Sequence, residues 1–398
     1  MIELRRRQWI IDQTPRILFS GEVHYFRLAR RDWRSRLLGL RAAGVQAVAT
    51  YIPWIVHELS DGTIDVTGRT ADWRDLGAFC DLAHELGLFV IARPGPYVMA
   101  ELKHEGLPHR VRHLPDLGAT TWHGRPLPTA DLDYLSATFL AEVERWYDAV
   151  LPVLAGRLQP AGGPVIGVQL DNEIGMLAWV SNSPVLNARV AADFVDWLTV
   201  TGRGGRHPGL APEDALAYLQ RPPRDHGPVV AEDLMRFCRH DFRRYVDTLA
   251  GFVRARGITG VPLLINIHGT SGGRGLTYPI GVSQLLGTWR NRPGTTAGSD
   301  MYLGDLTVGN VADFVFGNLF ARATTGEDQP LTALEFEAGD GDYGQDLSSL
   351  VPPEATSLRT RLAHGLGNRL MNFYLYAGGV NPPLERDPGR PGGDGIDR

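Results

Sequence analysis

Lysine is all but missing from this chain. Lys103 is the only one, and every other basic side chain is an arginine. Such a bias reads as the codon preference of a GC-rich genome, and it excludes a lysine Schiff-base mechanism unless Lys103 itself serves. Cysteine is almost as scarce. Cys80 and Cys238 lie far apart, each inside a helix-like stretch. Two such residues build neither a disulfide framework nor a Cys-rich metal site, so both are expected to be buried thiols. No apolar run approaches the ~18 residues of a membrane span. The charged segment Met1–Trp9 is not followed by the apolar stretch of a secretory signal, so a soluble, cytoplasmic protein is expected. Net charge is only −5, which argues against nucleic acid or an anionic membrane as a partner.

The 398 residues are 43% apolar and 21% charged, enough for a substantial core and without a disorder signature. Short apolar, β-branched runs recur at Ile17–Tyr25, Val45–Tyr51, Leu88–Pro94, Pro164–Leu170, Val261–His268, Ser299–Leu303, Thr332–Phe336 and Met371–Tyr376. Several are apolar on both faces, as parallel strands covered on each side should be. Between them lie helix-like segments at Arg31–Ala43, Asp72–Leu86, Asp131–Leu154, Ala231–Arg256, Asn310–Thr324 and Glu354–Leu370, with a shorter one near Val282–Gly287. Eight strands alternating with helices predict an α/β fold of the (β/α)8 TIM-barrel type. A doubly wound open sheet is the competitor. It would place a glycine-rich phosphate loop after an early strand, where this chain has Gly21-Glu-Val-His-Tyr-Phe-Arg27. The barrel is assigned to residues 1–380, with a long rim insertion at about 175–230 after the fourth strand. Residues 381–398, rich in Pro, Gly and Asp, read as a tail or the start of a linker.

Barrels of this type carry their chemistry at the C-terminal ends of the strands. Those ends supply His24, Tyr51 with Trp54, Arg93 through Glu101, Asn172-Glu173, Asn266 with His268, Tyr302, Glu335 and Tyr374. Glu173 and Glu335 belong to the fourth and seventh strands and would face each other across one mouth. Two opposed carboxylates suit cleavage of a glycosidic bond, one protonating the leaving oxygen and the other attacking the anomeric carbon or activating water. Trp54, Tyr97, Tyr302 and Tyr374 would stack on a sugar or hydrogen-bond its hydroxyls. His24 and His268 lack the spacing of metal ligands and are expected to hydrogen-bond behind the site, and His57-Glu58 is expected to be structural.

The chain resembles the glycoside hydrolase family 35 β-galactosidases. The resemblance rests on Gly21-Glu-Val-His-Tyr-Phe-Arg, Trp33, Thr50-Tyr-Ile-Pro-Trp, Arg93-Pro-Gly-Pro-Tyr-Val-Met-Ala-Glu101 and Gln169-Leu-Asp-Asn-Glu-Ile-Gly175. It continues through Leu334-Glu-Phe-Glu-Ala-Gly339 and Asn372-Phe-Tyr-Leu-Tyr. It implies a retaining, exo-acting enzyme of carbohydrate metabolism that uses no cofactor and no metal. In that enzyme Glu173 is the general acid/base and Asn172 binds the sugar 2-hydroxyl. Glu335 is the nucleophile, with Glu337 its rival, because strand alternation places both on one side. Tyr51, Ala100, Glu101 and Tyr374 match positions lining the galactose pocket, and Tyr302 matches a tyrosine that hydrogen-bonds the nucleophile. Glu101 is alternatively an ion-pair partner of Arg93 that props the rim. Ile55, Leu102 and Asp340 depart from the family pattern and put sugar or aglycone preference in question. The partner expected is a carbohydrate, with assembly either as a homo-oligomer or with accessory β domains that this chain does not carry. Another β-glycoside (glucosaminide, fucoside or arabinopyranoside) and a catalytically silent sugar-binding barrel remain alternatives to galactoside hydrolysis.

Overall fold

Eight segments of the chain pair in parallel and close on themselves. They are β4 (Leu18–Val23), β5 (Ala47–Tyr51), β6 (Phe89–Arg93), β7 (Val165–Gln169), β8 (Leu263–Ile267), β9 (Thr295–Met301), β10 (Leu331–Glu337) and β11 (Asn368–Ala377). The barrel runs in that order, β11 pairing back onto β4. This is the expected (β/α)8 architecture. The computed structural model describes residues 2–114, 117–126, 132–180, 183–268, 278–302, 306–338, 352–382 and 384. Most of the predicted 381–398 tail, together with Gly339, Asp340 and Leu303, therefore lies outside the described residues.

The longer helices are α1 (Arg30–Ala42), α2 (Leu76–Glu85), α3 (Ala137–Ala155), α4 (Ala188–Val200), α5 (Gly227–Ala255), α6 (Tyr278–Trp289), α7 (Val311–Thr324) and α8 (Pro353–Leu366), and all but α4 pack around the barrel. Local chemistry starts several of them. Asp75 accepts from the Ala78 amide at 2.9 Å, Ser136 from that of Phe139 at 3.4 Å, and Asn187 from that of Val190 at 2.8 Å. The buried strand residues Val48, Val90, Ile166 and Leu264 join Trp33, Phe79, Trp146 and Leu249 from the helical layer in one continuous core.

Two features go beyond the expected pattern. Three antiparallel strands, β1 (Ile2–Arg5), β2 (Gln8–Ile11) and β3 (Thr14–Arg16), precede the barrel. They reach its N-terminal end, where the Arg6 amide donates to Asp328 at 2.9 Å and Gln159 to Asp12 at 2.9 Å. The insertion after β7 is a helical unit with its own core of Leu186, Val190, Phe194, Leu198, Leu219, Leu234 and Phe237. Helix α5, about 44 Å long at 1.5 Å per residue, ties it down. Its first half packs in the insertion core, while Tyr245, Val246, Leu249 and Val253 pack on the barrel. Asp233 holds the insertion together by accepting from Arg203, from Arg206 at 2.7 Å and from His207 at 3.0 Å.

Between the insertion and the barrel lies an apolar cavity of about 290 Å³, with Trp122, Tyr134, Phe237, Cys238 and Phe242 in its wall. Cys238 is thus half-buried at a cavity rather than fully enclosed like Cys80. Burial pushes both thiols up to about 12. Among the described residues, no helix is long and apolar enough to cross a membrane.

Candidate active site

The interior of the barrel is polar at its C-terminal end, and Arg93 is its hub. The last residue of β6, Arg93 is buried. It donates from Nε to Gln169 at 3.0 Å and from Nη1 to Glu22 at 3.0 Å. Nη2 reaches Asn172 at 3.3 Å and Glu335 at 2.6 Å. Its guanidinium lies 3.8 Å from the centre of the Tyr51 ring. One side chain thereby fixes groups from β4, β5, β7 and β10. A buried cation needs such partners, because desolvation without them costs several kcal/mol.

Glu335 accepts three charge-suited hydrogen bonds. Arg93 and the Tyr51 hydroxyl reach Oε1, and the Tyr302 hydroxyl reaches Oε2 at 2.5 Å. Glu337, two residues on, points elsewhere and accepts from Arg359 of α8 at 2.5 Å. Simple alternation would put both glutamates on one face. Instead the pairing of β10 with β9 slips between Ala333 and Glu335, and with β11 between Ala333 and Phe336. This bulge turns Glu335 into the mouth and Glu337 onto a helix.

Past the end of β7, the chain passes through Asp171 and Glu173 at φ 57 and 48, a left-handed conformation that favours glycine. Hydrogen bonds hold it there. The Asp171 amide donates to the Gly95 carbonyl at 3.0 Å, and the Asp171 carboxyl accepts from Tyr245. The Glu173 amide donates to Asn266 Oδ1 at 2.8 Å. Asn172 Oδ1 accepts from Gln169 at 3.1 Å and lies 2.9 Å from the Tyr51 hydroxyl, which aims its amide nitrogen at the Val98 carbonyl, 3.4 Å away. Burial, and after it the charge of Glu335, pushes the Glu173 carboxyl up to about 8. The two glutamates therefore sense each other across the mouth.

The other predicted site residues gather at the same rim. Tyr374 packs edge-on against Tyr51 at 6.4 Å, Tyr302 at 6.2 Å and His24 at 5.8 Å. The Glu101 charge acts on both Tyr374 and Glu173. Ala100 is buried, and its carbonyl accepts from Arg27. Arg93 spends its donors on Glu22 and Glu335, in place of the rim-propping pair with Glu101. His24 sits behind the site, with Nδ1 2.5 Å from Arg27, and burial holds its imidazole well below the usual range.

Two expected sugar-stacking rings are buried in the core instead. Trp54 stacks on Trp146 at 6.0 Å and donates to Glu58 at 2.8 Å, and Tyr97 packs against Tyr134 at 5.5 Å. Both follow strand ends, but the loops that carry them fold back under helix α3. His57 and Glu58 are buried and take partners from neighbouring elements. His57 lies 2.6 Å from the Tyr25 hydroxyl, and Glu58 takes Arg110 at 2.6 Å and Arg145 at 2.5 Å. Ile55 and Leu102 pack against the core. Among the described residues, no three His, Cys, Asp or Glu side chains are grouped to hold a metal ion.

Sequence reasoning left three residues out of the site. Arg93 stands in the sequence as a strand-end residue and a candidate partner of Glu101 but without a role toward Glu335, and Glu22 and Asp300 have no role assigned from sequence. Asp300 is buried near the end of β9, and Asn266 donates to both its oxygens at 2.8 Å. The available signal was positional, since each lies near the end of a barrel strand.

The family model of glycosyl hydrolases family 35 matches residues 8–201. The β-1,2-glucosyltransferase of Ignavibacterium album is 28% identical over 403 residues, covering 94% of this chain and 53% of that protein. The β-galactosidase of Bos taurus is 39% identical over 174 residues, covering 44% of this chain and 24% of that protein. The chain thus spans about half the length of the first relative and about a quarter of the second. The polyextremophilic β-galactosidase from the Antarctic haloarchaeon Halorubrum lacusprofundi shares the fold, with a TM-score of 0.66 at 17% identity over 91% of this chain and 55% of that one. Residues 8–201, which carry the strand ends from Glu22 to Glu173, are thus similar to glycosyl hydrolases family 35.

Proposed function

We propose that this chain is the catalytic barrel of a retaining exo-β-glycosidase that removes terminal, non-reducing β-D-galactosyl residues. The observation that carries the reading is the clamp on Glu335, which aligns one carboxylate while Glu173, its carboxyl raised to about 8, keeps a proton to give. In the first step a Glu335 oxygen attacks the anomeric carbon. The bond from that carbon to the aglycone oxygen breaks, and the Glu173 proton goes to the departing oxygen. In the second step Glu173 takes a proton from water, whose oxygen displaces Glu335 and restores the β configuration. Asn172 suits the 2-hydroxyl, and Tyr51, Ala100, Glu101 and Tyr374 the rest of the sugar. Tyr302 steadies the nucleophile.

A second reading keeps both glutamates and replaces water with a sugar hydroxyl, making the protein a glycosyltransferase of the retaining type. It is favoured by the relative named as a β-1,2-glucosyltransferase, which aligns along nearly the whole barrel, whereas the bovine β-galactosidase aligns with less than half of it. Initial rates on nitrophenyl α- and β-glycosides, with and without added sugar acceptors, test both readings. Release from the β-galactoside should fall at least ~10³-fold in Glu335→Gln, and NMR should show the β anomer as the first product. Turnover of another β-glycoside moves the sugar and keeps the mechanism. Products longer than the donor favour transfer. An α anomer formed first, or undiminished rates in Glu335→Gln, would sink the mechanism. Binding without any turnover would leave a sugar-binding barrel.

A further inference from the structure

Asp300 stands one strand away from Glu335, its Cα partner in the parallel register of β9 and β10. Beside it on the other flank, at the end of β8, is Asn266. The Asn266 amide nitrogen donates to both Asp300 oxygens at 2.8 Å, and its Oδ1 accepts the backbone N–H of Glu173 at 2.8 Å. A side-chain amide can bind either way round, and a carboxyl neighbour removes that freedom. With its NH2 committed to Asp300, Asn266 must turn its oxygen to Glu173. The Glu173 backbone needs that restraint, because φ 48 is a conformation that residues with a side chain rarely hold unaided.

We propose that Asp300 is a positioning residue of this site, fixing the orientation of Asn266 so that Asn266 pins the acid/base glutamate in the conformation that aims its carboxyl at the nucleophile. The charged groups facing Asp300 are Glu335, Glu173 and Arg93. Burial and the two glutamates hold the Asp300 carboxyl well above the usual carboxylate range. Both Asp300 oxygens accept from the Asn266 amide nitrogen, and it is this geometry that orders Asn266.

The kinetic consequence rests on the retaining-glycosidase reading, while the geometric consequence does not, so both are measured. Asp300→Ala is compared with Asp300→Asn, whose amide oxygen still accepts from Asn266, and folding is checked by circular dichroism. If Asp300→Ala does not fold, Asp300→Leu, closer in volume, replaces it. Amide hydrogen exchange at Glu173 should be slow in the wild type and rise at least ~10-fold in Asp300→Ala. Turnover uses methyl and 2,4-dinitrophenyl β-glycosides of the sugar the wild type accepts. Loss of aim at the acid should lower kcat/KM ~100-fold for the methyl glycoside and less than ~5-fold for the dinitrophenyl one, with Asp300→Asn recovering at least ~10-fold of the larger loss. Equal losses on both substrates, or unchanged exchange at Glu173 in a folded variant, would overturn the proposal. If the wild type turns over no glycoside, the functional reading fails and exchange alone decides this one.

Discussion

Replacing Glu173 by Gln should leave stability almost unchanged in acid and raise it in base. Burial and the Glu335 charge lift this carboxyl from the ordinary 4.5 to about 8 in the folded protein. The folded value lies above the unfolded one. The wild-type contribution is therefore fully present below about pH 4.5 and is lost as pH rises through about 8. At ~1.4 kcal/mol per pH unit, that span sets a ceiling of ~5 kcal/mol. Relaxation and water entry reduce it, so a gain on the order of 2–4 kcal/mol is expected for the variant at pH 9. Glutamine is neutral at every pH and nearly the same shape, so the variant lacks this loss. Urea unfolding of both proteins at pH 5 and pH 9 measures it, and acids that titrate alike in both cancel in the difference. A gain that is the same at both pH values, within ~0.5 kcal/mol, would refute the placement of Glu173 in a desolvated site beside a charge. In turnover, wild-type kcat/KM should fall about tenfold per pH unit above about 8, since the step needs the protonated acid.

Tyr302→Phe removes one donor from Glu335 and should lower kcat ~10- to 100-fold with little change in KM, the worth of one charge-assisted hydrogen bond. An unchanged kcat argues against that contact. Gly175→Ala puts a Cβ 2.6 Å from the Phe242 ring at a residue with φ +81, and thermal melting should show a loss of ~1–3 kcal/mol. Asp233→Asn leaves Arg203, Arg206 and His207 without their shared buried charge, and should cost ~3–5 kcal/mol in urea unfolding. A loss below ~0.5 kcal/mol would place that cluster in the solvated class.

The barrel was legible because its strands are buried on both faces, so each reads as a run of apolar residues whatever its neighbours. Where that condition fails, the reading falters. β9 begins at Thr295, four residues before the predicted start, because Thr295, Thr296 and Gly298 lack the apolar signature of the other strands. The first three strands were missed for a different reason. Their two-residue turns, Arg6-Arg7 and Asp12-Gln13, take positive φ at both positions without a glycine to announce it. The insertion follows β7, but its separate core depends on contacts between helices far apart in the chain.

Residue types and strand ends were enough to bring Glu173, Glu335, Asn172 and the tyrosines together as a candidate site, because in a closed parallel barrel every strand ends at one mouth. Local sequence could not say which of Glu335 and Glu337 faces that mouth. The bulge that separates them arises from pairing with two other strands. Nor could it show that Arg93 clamps Glu335 or that Asp300 orders Asn266, since those contacts join residues from separate strands. Trp54 and Tyr97 carry the opposite lesson, for an aromatic ring beside a strand end binds sugar only if its loop leaves it uncovered. Composition and periodicity thus determined the fold and the inventory of reactive groups. Direction, partner and protonation were decided only when the strands closed, because each depends on which distant groups share the same desolvated space.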